Sequence, residues 1–116
     1  MKTKSPFDKV LAAAEGLPGV SEGTSWGSPA LKTRGKMFAC VPTNRAAEPN
    51  SLVVRLQMVD RDWLIASRPD VYYLKPHYVG YDCVLVRLGK INRKDLRELL
   101  EISREFVAGK GTKREH

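Results

Sequence analysis

Two short runs, Leu52-Val53-Val54-Arg55-Leu56 and Val84-Leu85-Val86-Arg87-Leu88, limit the fold more tightly than anything else in the chain. Both are rich in apolar and β-branched residues and too short for a buried helix, so both read as strands. Side chains alternate across a strand, which sets Leu52, Val54 and Leu56 against Val53, Arg55 and Gln57 in a strand from Ser51 to Gln57. It likewise sets Val84, Val86 and Leu88 against Cys83, Leu85 and Arg87 in a strand from Cys83 to Leu88. The pattern of the first strand predicts one buried face and one that can be wet. The two runs echo each other, but a match of five residues is too short to establish a repeat, and they are read as two similar strands.

The flanking text supplies further strands and a covering layer. Ser5-Pro6-Phe7-Asp8 opens a helix, because Ser5 can cap a free N–H, Pro6 suits the first helical position and Asp8 favours the positive end of the dipole. Phe7, Val10, Leu11 and Ala14 form its apolar stripe, and Gly16-Leu17-Pro18-Gly19 ends it. Residues 20–26 make a strand, Gly27-Ser28-Pro29 a break, Ala30 to Arg34 a second strand, Gly35-Lys36 a hairpin turn and Met37 to Val41 a third strand. Pro42 to Asn50 is a polar loop. Asp60 to Ser67 reads as a short helix turning Trp63, Leu64 and Ile65 inward and stopping before Pro69. A short strand Val71 to Leu74 and an aromatic-rich loop Lys75 to Asp82 follow. The last helix is capped by Asn92, with Asp95 at its third position and Ile91 packing on Leu96. Leu96, Leu99, Leu100, Ser103, Phe106 and Val107 line its stripe, and Gly109 and Gly111 end it. The order is α-β-β-β-β-α-β-β-α, an α+β fold in which helices pack an antiparallel sheet.

At 116 residues the chain has the size of a single domain, able to bury roughly two-thirds of the surface its unfolded form exposes. That domain is expected to span 1–109, with 110–116 as a flexible basic tail. No apolar run approaches the ~20 residues that cross a bilayer, and the first residues lead into a charged amphipathic helix, so a cytoplasmic protein without membrane contact is expected. Cys40 and Cys83 lie inside strand-like runs and match no C-x-x-C spacing, which suits reduced thiols in a core. Together with His77 and His116 they have no spacing that gathers a zinc site, and Gly35-Lys36 lacks the glycine and hydroxyl residue of a phosphate loop. No metal or cofactor is expected. His77 and Cys83 are the one pair that suggests nucleophilic catalysis, but Cys83 begins a core strand, and the chain is expected not to be an enzyme.

Lysines and arginines outnumber acids by 20 to 13, a formal charge of +7 that favours anionic partners. Between residues 37 and 74 the charges balance, so the surplus belongs to the two ends. Lys32, Arg34 and Lys36 surround the first hairpin, with Lys32 and Arg34 on one side of a strand, and Arg55 and Arg87 project from two others. A cationic hairpin tip can reach a phosphate backbone; equally, such residues solvate an open face and protect strand edges. Tyr72, Tyr73, His77, Tyr78 and Tyr81, with Lys75 nearby, can stack bases or can pack their rings on the core. Trp26 and Trp63 are expected in the core.

Trp26-Gly27-Ser28-Pro29-Ala30-Leu31-Lys32, Gly35-Lys36-Met37-Phe38-Ala39 and His77-Tyr78-Val79-Gly80-Tyr81 leading into Val84-Leu85-Val86-Arg87-Leu88 resemble the MmcQ/YjbR family. The similarity runs from about residue 5 to residue 108. It implies an antiparallel sheet backed by helices, similar in outline to secretion chaperones, and a double-wing mode of DNA binding, and it carries no catalytic residue set. The leading expectation is therefore a nucleic-acid-binding domain acting through Lys32, Arg34 and Lys36, with Arg55, Arg87, His77, Tyr78 and Tyr81 as further contacts. The alternative is a protein-recognition module that offers an exposed sheet edge or an apolar patch to an unidentified protein, without catalytic activity.

Overall fold

A computed structural model describes residues 6–25, 27–43 and 47–109. Ser5, Trp26, Gly111 and the expected tail lie outside the described residues. The elements are α1 (Pro6–Ala14), β1 (Val20–Ser25), β2 (Ser28–Thr33), β3 (Lys36–Cys40), β4 (Ser51–Arg55), α2 (Met58–Ser67), β5 (Tyr72–Tyr73), β6 (Cys83–Arg87) and α3 (Arg93–Ala108). A 3₁₀ turn, Pro76–Tyr78, lies between β5 and β6. This is the α+β order that the sequence predicts. The strands form one antiparallel sheet in the order β1-β2-β3-β4-β6-β5. The two echoing runs are direct partners, with Leu52 opposite Val86, Val53 opposite Leu85 and Val54 opposite Val84.

Helices cover one face of this sheet. Phe7, Val10 and Ala13 of α1 and Leu96, Leu99 and Leu100 of α3 bury themselves against Leu31, Phe38, Leu52, Val54, Val84 and Val86. Asn92 caps α3 by accepting from the Asp95 N–H at 2.8 Å, and Gly109 ends it at φ 90°. Cations of α3 close the other helix end: Arg97 donates to the carbonyls of Ala13 (3.1 Å) and Glu15 (2.6 Å), and Arg93 to that of Ala12 (3.3 Å). Lys9 of α1 reaches back to the carbonyls of Leu88 and Ile91. Carbonyls left over at the C-terminus of α1 carry partial negative charge, and Arg93 and Arg97 satisfy it.

The opposite face differs from expectation. Instead of a wet surface it carries a second cluster, in which Ala30, Cys40, Val53, Cys83 and Leu85 are covered by Tyr73 and Tyr78. A bulge builds it: Leu31 pairs with Ala39 but Lys32 with Met37, so Phe38 is an extra residue in β3. Phe38 and Ala39 therefore both pack on the helix side, while Met37 and Cys40 both serve the second cluster. Ser103 of α3, fully buried, donates to the Phe38 carbonyl at 3.0 Å and satisfies a group the bulge takes out of the ladder.

Two further details differ. The hairpin turn is Arg34-Gly35, not Gly35-Lys36: Thr33 pairs with Lys36, and φ is 54° at Arg34 and 77° at Gly35. Positive φ at both central residues is the turn whose twist matches a two-residue hairpin. Trp63 does not face inward; it is 68% exposed on α2, and Arg61 is the buried residue of that helix. Among the described residues, the apolar side chains of α2 that pack against the core are Leu64 and Ile65.

Candidate functional site

The second face of the sheet holds a pocket of about 690 Å³. Its floor is Met37 and Cys40 of β3, Val53 of β4 and Cys83 of β6. One wall is the start of the β3–β4 loop, Val41 to Thr43, and the other is the segment carrying His77, Tyr78, Tyr81 and Asp82. Arg55 stands at the end of β4 as the one arginine among the described residues that line it. This size and an apolar floor with few polar groups are what small-ligand sites share.

Each part has a local cause. Tyr78 is buried, and the exposed His77 ring stands edge-on to it at 4.9 Å and 85°, with the Tyr81 ring tilted at 6.3 Å. Tyr81 itself is 60% exposed. Burial pushes the Tyr78 hydroxyl above its ordinary range, so it is present as a neutral donor. The wall is held from behind by Arg61, whose Nη1 donates to the carbonyls of Val79 (2.9 Å) and Tyr81 (3.2 Å) and whose Nε meets Asp62 at 2.9 Å. Sequence reading missed Arg61, because an arginine at the fourth α2 position resembles a surface residue until the loop that consumes its donors is in place. Arg55 donates to the Met37 carbonyl at 3.4 Å and lies 6.0 Å from the Phe106 ring centroid. Among the described residues no carboxylate forms an ion pair with it.

The thiols are poor nucleophiles. Burial pushes both Cys40 and Cys83 up to about 11, so each is protonated at neutral pH. They also stand on strands separated by β4, at least about 9 Å apart, too far for a disulfide without backbone movement. Among the described residues no group of three or more His, Cys, Asp or Glu is placed to hold a metal ion.

Of the eight residues singled out from the sequence, Arg55, His77, Tyr78 and Tyr81 line this one pocket. Lys32 is on the same face, opposite Met37, its stem lying across Gly23 of β1. Arg34 sits in the turn rather than on a strand, and Lys36, opposite Thr33, alternates to the helix side. Arg87 is engaged elsewhere: it grips Glu48 through two hydrogen bonds of 2.8 Å, lies 4.2 Å above the Tyr73 ring and donates to the carbonyls of Pro69 and Asp70. With the Glu48 N–H and the Ser51 hydroxyl bound to the Tyr73 hydroxyl, it ties the β3–β4 loop to the sheet.

The YjbR family model matches residues 15–106. Uncharacterised proteins of Mycobacterium tuberculosis and Mycobacterium bovis are 54% identical over 37 residues, which is 32% of this chain; the match spans 29% of those relatives' length. The crystal structure of Deinococcus radiodurans protein DR2400, described by the family-model domain DUF419, superposes with a TM-score of 0.68 at 21% identity, over 97% of this chain and 87% of that one. At that identity the likeness speaks to the fold. The extent of the family match decides the kinship: the chain belongs to the YjbR family.

Proposed function

We propose that the chain is a non-catalytic nucleic-acid-binding module that takes single-stranded segments on the helix-free face of its sheet. One base enters the pocket over Met37, Cys40, Val53 and Cys83, Tyr81 and His77 offer ring faces for stacking, and Arg55 meets a phosphate or a base carbonyl. Lys32 and Arg34 supply backbone contacts along the neighbouring strand and turn. The observation that carries this reading is the convergence of Arg55, His77, Tyr78 and Tyr81, from two distant parts of the chain, on one pocket. A duplex grasped by the hairpin alone is a poorer fit, since Lys32 and Lys36 alternate to opposite faces and Arg87 is committed to Glu48. Recognition through a sheet edge is also a poorer fit. The β1 edge, Val-Ser-Glu-Gly-Thr-Ser, has no apolar alternation to seat a guest strand, and β5 is two residues long.

Fluorescence anisotropy with a labelled single strand and the matching duplex, at low and moderate salt, tests the proposal. Single strands bind more tightly than duplex, and Arg55→Ala and Tyr81→Ala each weaken binding about tenfold, the scale of one lost stacking or phosphate contact. Lys36→Ala leaves it nearly unchanged. Absence of binding at low salt, or binding indifferent to Arg55 and Tyr81, overturns it.

A further inference from the structure

A second concave surface lies on the helix side, between α2 and α3, about 340 Å³ in volume. Its apolar residues include Trp63 and Leu64 of α2 and Leu99 and Ile102 of α3. Trp63 is 68% exposed and Ile102 42%, and Val59, one turn before Trp63, is 73% exposed. Large apolar side chains clustered this openly mark contact surfaces. Of the charged groups among the described residues that line the groove, Asp95 and Glu98 are acidic, and the one cation, Arg68, is held by Asp70 at 3.1 Å through both oxygens. Lys94, one turn before Glu98, does not line it. The Tyr72 hydroxyl at the groove is raised first by burial and then by Asp95, with Arg68 opposing and Glu98 adding to the rise.

We infer that the groove between α2 and α3 docks a basic amphipathic helix of a partner protein, its apolar residues on Trp63 and Ile102 and its cations on Asp95 and Glu98. The pairing of an apolar trough with an acidic rim selects this occupant. A second copy seated by a two-fold axis sets each acidic rim against its own image, which like charges oppose. A membrane surface is anionic and meets the same acids unfavourably. The inference is independent of the pocket on the other face.

The test titrates a labelled Leu/Lys helical peptide of about 14 residues, with leucines at i, i+3, i+4 and i+7, into the intact, nucleic-acid-free chain. Because the chain is itself +7, attraction of a cationic peptide must be local. Saturable binding is expected, weakened about tenfold by Trp63→Ala and by Ile102→Ser and reduced by Glu98→Lys, with Arg55→Ala unchanged. These exposed sites leave the fold intact, which circular dichroism verifies. No saturable binding, binding unaffected by Trp63→Ala, or equal binding of the peptide with glutamate in place of lysine overturns the inference. Concentration-dependent self-association abolished by Trp63→Ala overturns it in favour of a second copy.

Discussion

Lys9, Arg61, Arg87, Arg93 and Arg97 all donate to main-chain carbonyls, so a good part of the positive charge is structural. Arg61 is the sharpest case, because it is buried and holds two carbonyls of the pocket wall. Arg61→Met keeps the volume and leaves those acceptors unpaired, so it costs about 1–3 kcal/mol. Its signature is faster hydrogen exchange confined to residues 77–82 together with weaker ligand binding; uniform loss of protection across the sheet tells against a positioning role. The thiols make an equally local prediction. With Cys40 and Cys83 buried and raised to about 11, iodoacetamide at pH 8 modifies neither in the folded chain and both after unfolding. Mass spectrometry reads the outcome, and rapid native labelling of Cys83 restores a nucleophile to consideration.

Turns and straps between elements set the pocket's frame. At the β2–β3 hairpin Arg34 adopts φ 54°, a conformation that asparagine tolerates better. Arg34→Asn is expected to stabilise the chain by about 0.4–1 kcal/mol, whereas Gly35→Ala, at φ 77°, destabilises it by a similar or larger amount; thermal melts distinguish the two. The Arg87–Glu48 strap has a pH dependence of definite sign. Hydrogen bonds from Arg87 hold the Glu48 carboxyl below its ordinary value, with Arg87 and Lys75 charge adding to it. A lowered folded-state value means stability present above the unfolded carboxylate range and lost as pH falls through the folded value. Glu48→Gln therefore melts below the parent chain at pH 7, and the gap closes in acid; a gap that persists there argues against the ion pair. Elements themselves were largely legible. Asn92, Asp95 and Gly109 announce α3 through local capping chemistry, and the alternation of Leu52, Val54 and Leu56 announces β4. Trp63 was misplaced inward because helical spacing gives a stripe but not which neighbour is present to cover it.

Over the whole molecule, the charge surplus does not reside where the fold is described. Among the described residues 14 lysines and arginines stand against 12 acids, which leaves +2 of the +7 there. Single-strand binding through Lys32, Arg34 and Arg55 is accordingly expected to depend weakly on salt, with a log–log slope of about −2, near 0.7 per phosphate contact. A slope several times steeper shifts the binding to cations elsewhere in the chain. The sequence by itself determined the element order, the family pattern and the caps and turns, because each of these depends on residues a few positions apart. Only the tertiary structure decided that Arg55 lines one pocket with His77 and Tyr81, that Arg87 is consumed by Glu48, and that the second sheet face is covered. Those outcomes depend on a strand order, β4 beside β6, and on one extra residue in β3, which turns Met37 and Cys40 to the same side; neither is written in any local stretch of the chain.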